Sequence, residues 1–125
     1  MARLEHVNVT VSDAEATAAL LGDLLGWRVR WQGQAIHGGT SIHVGDDATY
    51  LALYSPKRID APHDDTYTRA GSMNHIGLVV DDLDATEAKV REMGFTPHSH
   101  ADYEPGRRFY FDGPDGVEYE MVSYA

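Results

Sequence analysis

The sequence predicts an α+β fold made of two β-α-β-β-β modules. Three observations carry this. Glu5-His6-Val7-Asn8-Val9-Thr10-Val11 and Asn74-His75-Ile76-Gly77-Leu78-Val79-Val80 are both short apolar strands opened by a histidine, and the histidines stand 69 positions apart (75 less 6). Leu25-Gly26-Trp27 and Met93-Gly94-Phe95 repeat a helix stop at an offset of 68. Between each pair lies an acidic cap and a run with helical spacing of apolar residues.

In the first half, Leu4 to Val11 alternates. His6, Asn8 and Thr10 share one face, and Val7, Val9 and Val11 share the other, as strand geometry requires. Ser12-Asp13-Ala14-Glu15 reads as a capping box with Ser12 as N-cap. Leu20, Leu21, Leu24 and Leu25 follow at helical spacing, and Gly26 is the stop. Trp27 to Trp31 reads as a strand and Gly33 to Gly39 as a loop. Thr40 to Val44 and Tyr50 to Tyr54 read as further strands, separated by the turn Gly45-Asp46-Asp47.

Pro56 to Ser72 is polar and aperiodic, and reads as a linker between module one (about 1–55) and module two (73–125). In module two, Asp81 or Asp82 caps a helix that buries Leu83, Val90 and Met93. Phe95 onwards is a strand, Glu104-Pro105-Gly106 a turn, Arg107 to Phe111 a strand, Gly113-Pro114-Asp115-Gly116 a hairpin, and Val117 to Tyr124 the last strand.

The 125 residues suit one domain, and the 42% apolar content argues against disorder. Twenty acidic residues against ten basic ones give a formal charge of −10, with no basic block. Phosphate backbones are bound through clustered Lys and Arg, so nucleic acid is not an expected partner. No apolar run is long enough to span a membrane, and no signal-peptide pattern opens the chain. With no cysteine, thiolate ligands and disulfides are excluded. A cytoplasmic location is the expectation.

The chemistry centres on His6, His75 and Glu120. Two imidazoles and a carboxylate suit a divalent first-row cation. Strands about 4.8 Å apart and metal bonds of about 2.1 Å let residues of adjacent strands share an ion. The repeat places the two histidines at equivalent positions, and the offset of 68 sets Glu120 opposite Ala52 of module one. Glu118 is the competing carboxylate, because it shares a face with Glu120.

Phe109-Tyr110-Phe111-Asp112-Gly113-Pro114-Asp115-Gly116-Val117-Glu118-Tyr119-Glu120, together with the paired modules and strand-initial histidines, resembles the vicinal oxygen chelate superfamily. That group includes glyoxalase I, extradiol dioxygenases, methylmalonyl-CoA epimerase, fosfomycin-resistance enzymes and bleomycin-binding proteins. The resemblance covers nearly the whole chain. It implies that the two modules curl into an open β-barrel-like sheet, and that His6, His75 and Glu120 are the metal ligands. Glyoxalase I and the epimerase usually carry a fourth ligand where this chain has Ala52, which cannot coordinate.

The resemblance therefore implies a metal-dependent enzyme, dioxygenase-like by its three-ligand pattern, acting on a small molecule with two adjacent oxygens. Fe or Mn is the first expectation for the metal, and Zn or Ni the next. The alternatives are a glyoxalase-like lyase or isomerase, and a non-catalytic small-molecule binder of the bleomycin type. Tyr110 is the expected substrate hydrogen-bonding residue. His100, about one residue upstream of the dioxygenase pattern, is the expected proton-transfer residue. Arg107 and Arg108 are the best anion binders, and His43 is the remaining histidine best placed to line a cavity. Chains of this length in the superfamily usually form homodimers.

Overall fold

A computed structural model describes residues 1–104 and 106–125. The chain divides into two compact units, Met1–Ala61 and Pro62–Ala125. Each carries one helix on a four-stranded mixed sheet.

The first unit runs β1 (His6–Thr10), α1 (Ala14–Leu25), β2 (Arg28–Gln34), β3 (Thr40–Gly45) and β4 (Tyr50–Ser55). The sheet order is β1-β4-β3-β2, with β1 parallel to β4 and the other pairs antiparallel. The parallel pair follows from the helical crossover between β1 and the rest of the sheet. Ala14, Ala18 and Leu21 are buried on the helix and Val11 just before it, while Ile42, Val44, Leu51, Ala52 and Leu53 are the buried apolar residues of β3 and β4. The N-cap falls one residue later than the capping box suggested. Asp13 accepts from the Ala16 amide at 3.0 Å, and Glu15 is exposed. Gly26 ends the helix at φ 73, a left-handed conformation that favours glycine. β2 also runs on through Gln34, where a loop was expected, before a short turn at Ile36–Gly38.

The second unit runs β5 (Ile76–Val79), α2 (Leu83–Glu92), β6 (His98–Tyr103), β7 (Gly106–Asp112) and β8 (Glu118–Ser123), with sheet order β5-β8-β7-β6. Asp82, rather than Asp81, caps α2 by accepting from the Ala85 amide at 3.0 Å. Of the expected turn at Glu104-Pro105-Gly106, Pro105 lies outside the described residues. Four odd-numbered residues of β7 and β8 are fully or almost fully buried: Phe109, Phe111, Tyr119 and Met121. Phe109 pairs with Met121 and Phe111 with Tyr119 in register, so they form one apolar face, with Leu83 and Val90 buried on α2. The even-numbered residues Arg108, Tyr110, Asp112, Glu118 and Glu120 therefore share the opposite face.

The two sheets repeat each other residue by residue. Asn8 pairs with Ala52 in one, and Gly77 pairs with Glu120 in the other. His43 pairs with Ala52, and Tyr110 with Glu120. Each second strand also carries a register shift, between Val29 and Trp31 in β2 and between His98 and Ala101 in β6.

Candidate metal centre in the second unit

Glu120 sits on β8 with its side chain 11% exposed and its two carboxylate oxygens turned to different neighbours. Oε2 accepts from Arg108 Nη1 at 2.9 Å and from the Tyr110 hydroxyl at 3.0 Å. Oε1 faces His75 Nε2 at 3.5 Å. Two donors bound to one cation through bonds of about 2.1 Å stand roughly 3.0–3.4 Å apart, so this pair needs only a small closure to share an ion. Gly77 lies beneath. A Cβ there would come within 3.3 Å of Oε1, so glycine leaves the carboxylate its room.

A third residue orients His75. The Tyr67 hydroxyl donates its proton to Glu118 Oε1 and lies 3.4 Å from His75 Nδ1. With its one proton committed to Glu118, the phenol can only accept from Nδ1–H. A proton held on Nδ1 in that way would leave the Nε2 lone pair toward Glu120, as a metal ligand requires. The bond to Glu118, and then burial, push the Tyr67 phenol up to about 12. Burial first, then the bond to Glu120, raises Tyr110 as well. For Arg108 burial works downward, but the bond and charge of Glu120 outweigh it, and the guanidinium is held above its ordinary value.

Beside this centre His98, Asp112 and Glu118 bring one potential ligand atom each to within 4.8 Å of one another. A register shift around Ser99, whose φ is 56, sets this up. In a regular strand His98 and His100 would share a face. The extra residue separates them, as a β-bulge does. The His98 ring stacks on Tyr110 with centroids 6.2 Å apart, whereas His100 stacks on Phe109 at 6.0 Å. His100 Nε2 contacts Glu87 of α2 at 3.0 Å. His100 thus belongs to the helix-covered face, away from Tyr110 and Glu120.

In the first unit His6 opens β1 and contacts Glu5 through Nδ1 at 2.9 Å. Its ring stacks on Tyr50 at 4.9 Å, and Tyr50 stacks on His43 at 4.5 Å. Trp31 packs on His43 at 4.9 Å, and the Arg30 guanidinium lies 4.8 Å over Tyr50. Burial, then the neighbouring His6, pulls the His43 imidazole below its ordinary value. Ala52, at the position equivalent to Glu120, is 2% exposed and offers no ligand atom.

Neither Tyr67 nor His98 is marked out by the sequence pattern. Tyr67 falls in an aperiodic polar stretch, where a lone aromatic was the one available signal. His98 carried the same parity as His100, and only the bulge distinguishes them.

The sequence profile of the Glyoxalase/Bleomycin resistance protein/Dioxygenase superfamily matches residues 3–121. The chain belongs to that superfamily. Among curated protein sequences none matches it. Solved structures of similar fold include a glyoxylase/bleomycin resistance protein/dioxygenase domain from Frankia sp. EAN1pec, with TM-score 0.81, 19% identity and 98% of each chain covered. The trypanothione-dependent glyoxalase I of Leishmania major gives TM-score 0.80 at 19% identity, covering 99% of this chain and 88% of that one. TnmS3, an antibiotic binding protein from Streptomyces sp. CB03234, gives 0.73 at 21% identity, covering 100% and 98%. At these identities the likeness is one of fold. Superfamily members commonly use a divalent metal ion, and both enzymes and binding proteins share the scaffold. Among the described residues no helix is long and apolar enough to cross a membrane.

Proposed function

We propose that this superfamily member is a metal-dependent enzyme acting on a small molecule with two adjacent oxygens, with His75 and Glu120 as ligands. The carrying observation is the 3.5 Å approach of His75 Nε2 to Glu120 Oε1, with Oε2 already occupied by Arg108 and Tyr110. His6 is the third ligand in this proposal, on the strength of the sequence repeat. A divalent cation held there, Fe or Mn first and Zn or Ni next, supplies Lewis-acid polarisation of substrate oxygens.

The protein's own groups prepare that chemistry. Tyr67, held by Glu118, sets its hydroxyl oxygen beside His75 Nδ1, where it would accept the Nδ1 proton and leave Nε2 for the ion. Arg108 and Tyr110 hold Glu120 so that one oxygen faces the ligand position. The Tyr110 proton is committed to Glu120, so toward a substrate hydroxyl Tyr110 acts through its oxygen lone pairs, as an acceptor. His100, paired to Glu87, takes no part.

Because Ala52 leaves a three-ligand pattern, extradiol-type dioxygenation is the reaction we propose first, with a glyoxalase-like lyase or isomerase next. The proposal includes a homodimer and a cytoplasmic setting. One observation favours a different class, a small-molecule binding protein. Arg108 already neutralises Glu120 without a metal ion, and the rings around His43, with Trp31 exposed and Tyr50 half-buried, offer a stacking surface.

The test is the metal content of protein purified without chelators, by elemental mass spectrometry, beside His75→Ala and His6→Ala. About one Fe or Mn per chain, lost in either variant, supports the enzyme and directs assays to catechols under oxygen. Protein that carries no metal and takes up none on addition overturns it in favour of the binding protein.

A further inference from the structure

We propose that His98, Asp112 and Glu118 form a second divalent-cation site, on the same sheet face as His75 and Glu120 but with its own ligands. It does not rest on the function proposed above. Glu118 and Glu120 are two residues apart on β8, and each faces a different histidine.

Three observations carry the site. The ligand atoms all lie within 4.8 Å of one another, and His98 Nε2 stands 3.6 Å from Asp112 Oδ1. Octahedral ligands at about 2.1 Å from an ion are separated by roughly 3.0 Å when adjacent and 4.2 Å when opposite, so a small contraction of side chains closes the site. Asp112 is 59% exposed and can make that movement.

The second observation is His98 Nε2 itself. Although the side chain is 37% exposed, this nitrogen is buried and has no hydrogen-bond partner among the described residues. The 3.6 Å gap to Asp112 is too long for a hydrogen bond. The other ring nitrogen, Nδ1, is 2.8 Å from Ser99 Oγ, which orients the ring and leaves the buried Nε2 aimed at the carboxylates. A buried ring nitrogen without a hydrogen-bond partner, set beside two carboxylates, is an arrangement that a cation bound between them would satisfy.

Third, the surroundings already hold the ligands in place. Tyr67 holds one oxygen of Glu118 and leaves the other to turn toward the ion. Tyr110 stacks against the His98 ring. Such outer contacts are what fix metal ligands in working sites. One imidazole and two carboxylates suit Mn, Fe, Co or Zn better than Mg or Ca, which prefer all-oxygen sets.

The experiment is a Mn2+ titration of the full chain after chelator treatment, read by the electron paramagnetic resonance of free Mn2+. Asp112→Asn is the main variant, being isosteric and at an exposed position, with His98→Ala second and His75→Ala as the contrast. Circular dichroism confirms that each folds. The expected result is at least a tenfold weakening of one Mn2+ in Asp112→Asn and His98→Ala, with that ion retained in His75→Ala. If the wild type binds only one Mn2+, and it behaves this way, the second-unit cation belongs to His98 and the His75 centre fails alone. An isotherm unchanged by Asp112→Asn overturns the proposal. So does a single ion lost in both Asp112→Asn and His75→Ala, or a wild type that binds none.

Discussion

Arg108 donates to Oε2 of Glu120 at 2.9 Å, and both side chains are nearly buried, at 13% and 11% exposed. Removing one member of such a pair leaves the other charge without its partner. Arg108→Met is expected to lower the urea midpoint of unfolding of metal-free protein. Glu120→Gln in the same background should recover part of that. An unchanged midpoint would show that solvent, rather than Arg108, satisfies Glu120.

Tyr67→Phe keeps the ring but removes the hydroxyl between His75 and Glu118. Tyr67 is exposed, so stability should stay within about 0.5 kcal/mol of wild type. Metal affinity should fall about tenfold, the usual effect of losing an outer contact to a metal-binding histidine. Calorimetric titration with Mn2+ separates the two. Unchanged affinity would mean that His75 needs no orienting group.

Tyr119 is 1% exposed, and burial pushes its phenol up to about 12. Folding thus raises this pKa above the unfolded value near 10. Its contribution is fully present below pH 10 and is lost as pH rises toward 12, because the unfolded chain gives up the proton first. Tyr119→Phe, which keeps the stack on Phe111, should lack this slope. At pH 11 it should gain on the order of 1 kcal/mol relative to wild type, compared with pH 8. Chemical denaturation at the two pH values reads the difference.

Glu87 on α2 is held by Arg91 at 3.0 Å and His100 at 3.0 Å. Burial is the largest influence on it and works upward, but these two partners together outweigh it and hold the carboxyl below its ordinary value. A depressed carboxyl stabilises the fold above its unfolded pKa, and that stability is lost as pH falls through the folded one. Glu87→Gln should cost roughly 0.5–1 kcal/mol at pH 7, with the gap closing in acid. His100→Ala should leave any catalytic rate unchanged. A rate abolished in a variant with intact melting would place His100 in the reaction after all.

Much of the fold was legible because it rests on periodicity. Alternation in Leu4–Val11 and helical spacing in Leu20–Leu25 are direct consequences of backbone geometry, and the repeat doubled each signal. The structure sets Glu120 against His75 and Glu118 against Tyr67, a distinction that equal parity along β8 could not make. Two features were hidden for definite reasons. Tyr67 reaches the site from a segment without helix or strand, where no period constrains direction. His98 and His100 lie on opposite faces because of one extra residue, and a parity argument fails at any bulge. The N-cap moved by one position because Ser12 and Asp13 are both good caps, and tertiary packing chose between them.

The bulge at Ser99 is also a place where the chain can change length without changing its sheet. His98 faces Tyr110 and Ala101 faces Arg108, with two residues set against Phe109 between them. Loss of Ser99 would restore one-to-one pairing and keep both histidines on their present faces. Loss of Ala101 or Asp102 would instead turn the outer half of β6 over. Insertions and deletions, more than substitutions, are then the heritable changes to which this face is unevenly sensitive: tolerant at one position, and costly two positions further on.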